Sequence, residues 1–174
     1  DGGVLVAPLV DAVHRITTDP QRLTRAWLEG LFAEGLSASC YVEAVGVAVL
    51  VRSIDAFHHA LGLALEPLPA PLPGEPTRVR PEGVVRGEAW VPLVDLRRTD
   101  PATKAMIPAP PGPAPYVMRA LSLVPAEVAA WMDLSDAQYL SAQAMASMRT
   151  GRALDRSQVE LVAGRVSALN ECFY

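Results

Sequence analysis

The sequence predicts an all-α fold on three observations. Apolar residues recur at helical spacing in both outer parts of the 174-residue chain. Cap residues and prolines stand where those runs begin, and glycine or asparagine where they stop. Thirteen of the 16 prolines fall between Glu66 and Pro115, where neither a long helix nor a central strand can persist. The length suits one compact unit, so a single helical domain is expected over 1–174: helices in 4–65, a proline-rich wrapping loop in 66–115 and helices again in 116–174.

In the first part, Val6, Leu9, Val10, Val13 and Ile16 give one helical stripe. "TTDPQRL" announces a second helix with Thr18 or Asp19 as cap and Pro20 at its start. Leu23, Trp27, Leu28, Leu31 and Phe32 form its buried face, and Gly35 ends it. Ser37 or Ser39 caps a third helix that runs to Gly62. This helix is apolar on most sides, which predicts a central position with neighbours all round.

The proline-rich middle has the composition of a linker, yet "EAWVPLVDL" carries Trp90 as an anchor and apolar residues that need cover. A partly extended loop that wraps the helices is expected, with a short strand near Ala89–Leu96. Beyond it, Pro115 opens a short helix through Tyr116, Val117, Arg119 and Ala120, and Pro125 stands at the first position of the next. Met145 and Met148 mark a weaker helical stretch and serve as core filler. A turn forms around Gly151. Asp155 then caps the last full helix, with Val159, Val162, Ala163, Val166 and Leu169 inward.

Charge and composition exclude several functions. Net charge is −4, and the arginines are scattered, which does not suit a nucleic-acid surface. The longest apolar run, Ala44 to Val51, is far short of the roughly 20 residues a membrane span needs. No basic segment followed by an apolar one opens the chain, so a cytoplasmic protein is expected. Cys40 and Cys172 are the only cysteines and are not expected to pair. His14 stands alone, and the neighbours His58 and His59 point to different sides of a helix, so neither a metal nor a cofactor is expected.

The last residues hold the candidate chemistry. In "RSQVELVAGRVSALNECFY", Asn170 breaks the helical pattern and is a strong cap residue. It would place Glu171, Cys172 and Phe173 in the first turn of a following helix. There, unpaired N–H groups and the positive end of the helix dipole favour a thiolate. Glu160 lies twelve residues before Cys172, about one helix length back.

The phrase "DRSQVELVAGRVSALNECFY" resembles the signature of the alkylhydroperoxidase D and carboxymuconolactone decarboxylase superfamily. In that family a helix carrying Glu leads into an Asn-containing turn, then a Cys-x-x-Cys pair and a His. The separation of Glu160 from Cys172 matches that of the family's Glu from its first cysteine. "YVMRALSLVPAEVAAWMDLSDAQYL" is similar to the helices that precede the motif. The stretch from Leu23 to Pro69 is similar to the helix pair that in most members follows it. The resemblance therefore implies an alkylhydroperoxidase D-like bundle in circularly permuted order, which an all-helical domain with surface termini tolerates.

What the resemblance implies for function is a thiol-dependent peroxidase that takes a hydroperoxide substrate and a thiol reductant and assembles as a homo-oligomer. Glu160 matches the proton-relay residue and Cys172 the first cysteine, which resolves the sulfenic acid formed on the second. The second cysteine and the relay His would fall at positions 175 and 179. The stop after Tyr174 is read as a selenocysteine codon taken for a stop, with truncation or absent C-terminal residues as alternatives. In the family's internal symmetry, Glu43, Asp55 and His58 are spaced like a duplicated half of the motif. Cys40 is expected to be a small buried or edge residue. Two other readings are a decarboxylase of a small lactone acid, which the Asn-Glu-Cys phrase disfavours, and a non-enzymatic helical oligomerisation scaffold.

Overall fold

The computed structural model describes residues 5–75, 78–107, 114–147 and 149–172. Among these residues the fold is all-α apart from one two-stranded ribbon. Residue 4, Met148 and Phe173, each assigned a place from sequence, lie outside the described residues.

Helix α1 spans Ala7–Thr18 with Pro8 in its first turn, where the missing N–H costs nothing. Its inward residues are Leu9, Ala12 and Ile16, while Val6, Val10 and Val13 remain exposed. The expected stripe is thus displaced by part of a turn. The second start signal is also displaced: Asp19 and Pro20 open a 3-10 turn over Pro20–Arg22. Helix α2, Arg25–Ala33, begins later, where the Thr24 hydroxyl accepts the Trp27 N–H at 3.2 Å. Leu28 and Leu31 on α2 are buried, with Trp27 and Phe32 packed beside them.

Helix α3 runs Ala38–Leu61, capped by the Ser37 hydroxyl on the Cys40 N–H at 3.1 Å and ended by left-handed Gly62 at φ +67°. Its buried residues all lie in its first half. Tyr41, Val42, Gly46 and Ala48 are buried, whereas Val47, Phe57 and Leu61 are about half exposed, so the expected cover all round is not present. Gly46 has a packing reason: a Cβ there would lie 2.9 Å from the Glu127 Cβ and closer still to its carboxylate.

The proline-rich middle contributes more core than a linker would. Strand β1, Val84–Val85, pairs antiparallel with β2, Leu93–Val94, in the register Val84 to Val94. Leu93 and Val94 are fully buried, while Trp90, the expected anchor, stays 46% exposed. Gly83 is required beside the ribbon, because its φ is +71° and a Cβ would meet the Arg98 backbone at 2.9 Å. Helix α4, Pro101–Met106, follows. The Asp100 carboxylate caps it by accepting the Thr103 N–H at 2.8 Å and the Thr103 hydroxyl at 2.7 Å.

Helix α5, Tyr116–Arg119, begins after Pro115 as expected, and α6 spans Pro125–Gln138 with Pro125 at its first position. Between them the Ser122 hydroxyl accepts the buried Val94 N–H at 2.9 Å, and Arg119 reaches Glu88 at 2.8 Å. These contacts fix the ribbon to the helices. Two apolar clusters result. Ala12, Leu28, Leu31, Leu36 and Tyr41 form one; Val42, Val94, Leu96, Ile107, Leu121 and Val128 form the other, and Val45 and Val91 touch both. A short α7, Ala142–Ser147, and a turn at Gly151 lead to α8, Arg156–Leu169.

Candidate functional site

Helix α8 forms from strong local signals. The Asp155 carboxylate accepts the Gln158 N–H at 2.9 Å, and the Gln158 side chain accepts the Asp155 N–H at 3.0 Å, a reciprocal capping box. One turn later stands Glu160. Its carboxylate accepts the Tyr139 hydroxyl at 2.8 Å and pairs with the Arg156 guanidinium at 2.6 Å. Burial, followed by the bond to Glu160, pushes the Tyr139 phenol above its ordinary value. The phenol therefore remains a proton donor to Glu160 through the neutral range. Two further nitrogens of Arg156, Nε and Nη1, are buried with no partner among the described residues. Among the described residues the guanidinium meets Glu160 through Nη2 alone.

Tyr139 was not identified from sequence. It lies 21 residues from Glu160, just past the end of α6, and a tyrosine at a helix terminus carries no spacing signal. Tyr139 also lines a cavity of about 510 Å³ whose apolar wall is the α8 face bearing Val159, Val162, Ala163 and Val166. That face was expected to be packed inward. Val162, Val166 and Leu169 are instead more than half exposed, and no residue of α8 is buried.

The environment expected for Cys172 is overturned. Asn170 closes α8 instead of opening another helix: the Glu171 N–H returns to the Ala168 carbonyl at 3.3 Å and the Cys172 N–H to the Ser167 carbonyl at 2.9 Å. Glu171 takes the left-handed conformation at φ +52°. This is the Schellman arrangement of a helix C-terminus. Asn suits both ends of a helix, and nothing at Glu171 announces a positive φ. Cys172 is exposed and stands at the carbonyl pole of α8, not among free N–H groups. Roughly 13 Å of helical rise separates Glu160 from Leu169, so the Glu160 carboxylate and the Cys172 thiol do not meet directly.

The remaining candidates lie elsewhere. Cys40 is partly buried and lines an α1–α3 groove together with Glu43. Burial, then the Glu43 charge, pushes its thiol above the ordinary value, which disfavours the reactive form. His58 sits near the end of α3, where its Nδ1 donates to the Ala64 carbonyl at 2.7 Å and its Nε2 lies 3.7 Å from Glu66. That pairing ties down the chain leaving the helix. Asp55 is half-buried on the same helix and His59 is exposed. Among the described residues, no three of His, Cys, Asp and Glu are grouped to hold a metal, and no helix is long and apolar enough to cross a membrane. No family model, curated protein or solved structure matches the chain.

Proposed function

We propose that this protein is a thiol-dependent peroxidase of the alkylhydroperoxidase D type, built as a circularly permuted helical bundle, with Glu160 as proton relay and Cys172 as resolving thiol. The observation that carries the reading is the state of Glu160. The residue that the resemblance names as relay is held by a phenol proton at 2.8 Å and a guanidinium at 2.6 Å, beside an open cavity. A carboxylate so held can accept a proton and return it without reorienting.

The chemistry balances as follows. A second thiol or selenol, which the resemblance places three residues after Cys172, is oxidised by the hydroperoxide to the sulfenic or selenenic acid, releasing an alcohol. The Cys172 thiolate attacks that sulfur or selenium, forming the cross-link and releasing water once the departing oxygen is protonated. A dithiol reductant then reduces the cross-link and leaves as its own disulfide. The reading includes a homo-oligomer, for which the exposed Leu161, Val162, Val166 and Leu169 supply apolar surface.

The test exposes the chain to cumene hydroperoxide with a low-mass thiol and follows the adduct at Cys172 by mass spectrometry. A mixed disulfide at Cys172 is expected, absent in Cys172→Ser; in protein extended through the second thiol, hydroperoxide consumption should fall roughly 100-fold in Glu160→Gln, the low end of general acid–base contributions. No adduct would remove Cys172 from the mechanism, and equal hydroperoxide consumption with and without Glu160 would remove Glu160.

A further inference from the structure

The opening of the proline-rich tract has no place in the core. Over 66–73 every residue is a proline or precedes one. Proline fixes its own φ and drives the residue before it out of the helical region, so the run is held in the extended polyproline II form. Residues 63–73 enter no helix, strand or turn, and no backbone N–H of 64–75 bonds to a described residue. Leu68 is 76% exposed and Leu72 92%. At about 3.1 Å per residue the run is a rod of roughly 20 Å with two apolar side chains laid open.

A matching surface lies near the start of α3. Trp90 and Tyr116, 46% and 49% exposed, flank a cleft of about 340 Å³ whose buried lining includes Leu28, Tyr41 and Leu93. Arg119 steadies both walls. Its guanidinium lies 5.6 Å over the Tyr116 ring and pairs at 2.8 Å with Glu88, which stands in the β1–β2 loop that carries Trp90. Exposed aromatic rings beside an apolar cleft are the surface on which polyproline II segments dock. The charges agree. Glu66 and Glu75 bracket the run with no Lys or Arg between them, and Arg86, in the Trp90 loop, meets none of the described carboxylates.

Run and cleft do not meet within one chain. Among the described residues, none of 63–75 lines the cleft. Tyr41 stands in the first turn of α3, whereas the run leaves after Leu61, about 30 Å of helical rise away. Glu66 is tied back to His58 at 3.7 Å and Arg80 reaches Ser39 at 3.5 Å, so the tract returns from one end of α3 to the other outside the cleft. We propose that the cleft between Trp90 and Tyr116 receives the 66–75 segment of a second copy of this chain, its prolines against the two rings, and that reciprocal exchange closes a dimer. The proposal does not depend on the peroxidase reading, and no residue of α8 lines the surface it uses.

Sedimentation equilibrium of the whole chain, with and without the free peptide EPLPAPLPGE, tests it. A dimer is expected, weakened roughly 10-fold or more by Trp90→Ala and by the double variant Pro69→Ala, Pro71→Ala, whose changes lie in an exposed segment and spare the fold. Excess peptide should dissociate the dimer, and a peptide with its prolines replaced by alanine should not. The double variant keeps a free cleft, so labelled peptide should bind it saturably by fluorescence anisotropy, and adding Trp90→Ala should remove that binding. No saturable binding would overturn the proposal. Self-association that the peptide or the double variant leaves unchanged would overturn it too, and would place the contact between copies elsewhere. Saturable peptide binding by a chain that stays monomeric above the peptide's Kd would overturn the second copy as occupant and assign the cleft to a proline-rich segment of another protein.

Discussion

Helices α2 and α8 begin with comparable caps and part company from there. Thr24 caps the nine residues of α2, which buries Leu28 to 2% exposure and Leu31 to 5%. A full capping box starts the 14 residues of α8 and a Schellman turn ends them, yet Leu161 is 74% exposed and nothing on the helix is buried. Local signals determine whether a segment coils. They contribute about 1 kcal/mol per cap, whereas burying one leucine contributes about 1.5–3 kcal/mol, so long-range packing decides how firmly the coil is held. α2 has both; α8 has the first without the second.

The sharpest way to break this comparison is to truncate one leucine in each helix. Leu28→Ala should lower the unfolding free energy by about 2–5 kcal/mol, since it removes a fully enclosed side chain from a packed cluster. Leu161→Ala should change it by no more than about 0.5 kcal/mol. Urea denaturation followed by circular dichroism measures both. A loss above 1 kcal/mol for Leu161→Ala that grows with protein concentration would show that another copy covers the α8 face in solution.

The same division explains how far the sequence could be read. Helix ends written in a few adjacent residues were legible: Ser37, Gly62, Pro125 and Asp155 stand where the spacing placed them. What depended on distant partners was not. The β1–β2 ribbon lies within a proline-rich tract, and its burial depends on Ser122, 28 residues after Val94. Its place in the core could not be inferred from local composition. At the candidate site, Glu160 is singled out by its spacing from Cys172; of its two partners, Arg156 stands four residues back on the same helix, whereas Tyr139, past the end of α6, gives no local signal. The Cys172 environment was misread for the opposite reason: a local signal at Asn170 supported two structures, and the backbone took the other.

A smaller effect is expected where the ribbon meets the helices. Ser122→Ala keeps the volume of that buried position but leaves the Val94 N–H enclosed without an acceptor. The cost should be about 1–3 kcal/mol, the penalty for an unsatisfied buried donor. It should appear as a lower urea midpoint with an unchanged slope. Ser122→Thr, which restores the hydroxyl, should recover part of it, and equal loss in both variants would assign the effect to packing instead.

The smallest effect tests the one side-chain hydrogen bond, among the described residues, that links α8 to the residue closing α6. Tyr139→Phe removes the hydroxyl from Glu160 and leaves the ring in place. Because the pair is partly exposed and screened, the expected loss is about 0.5 kcal/mol. It should be confined to α8, where amide hydrogen exchange should quicken two- to threefold while α2 and α3 are unchanged. The sign with pH follows from the raised phenol. A folded-state value above the unfolded one, near 10, means that the stabilisation is complete below about pH 10 and is lost as pH rises through the folded value. Above it, phenolate and carboxylate repel, and the tie between α8 and Tyr139 is weakened. Helicity at 222 nm should therefore fall on the alkaline side in parallel with tyrosinate absorbance at 295 nm. Tyr139→Phe should abolish that parallel fall, and a helicity loss that persists in the variant would place the alkaline release of α8 on another group.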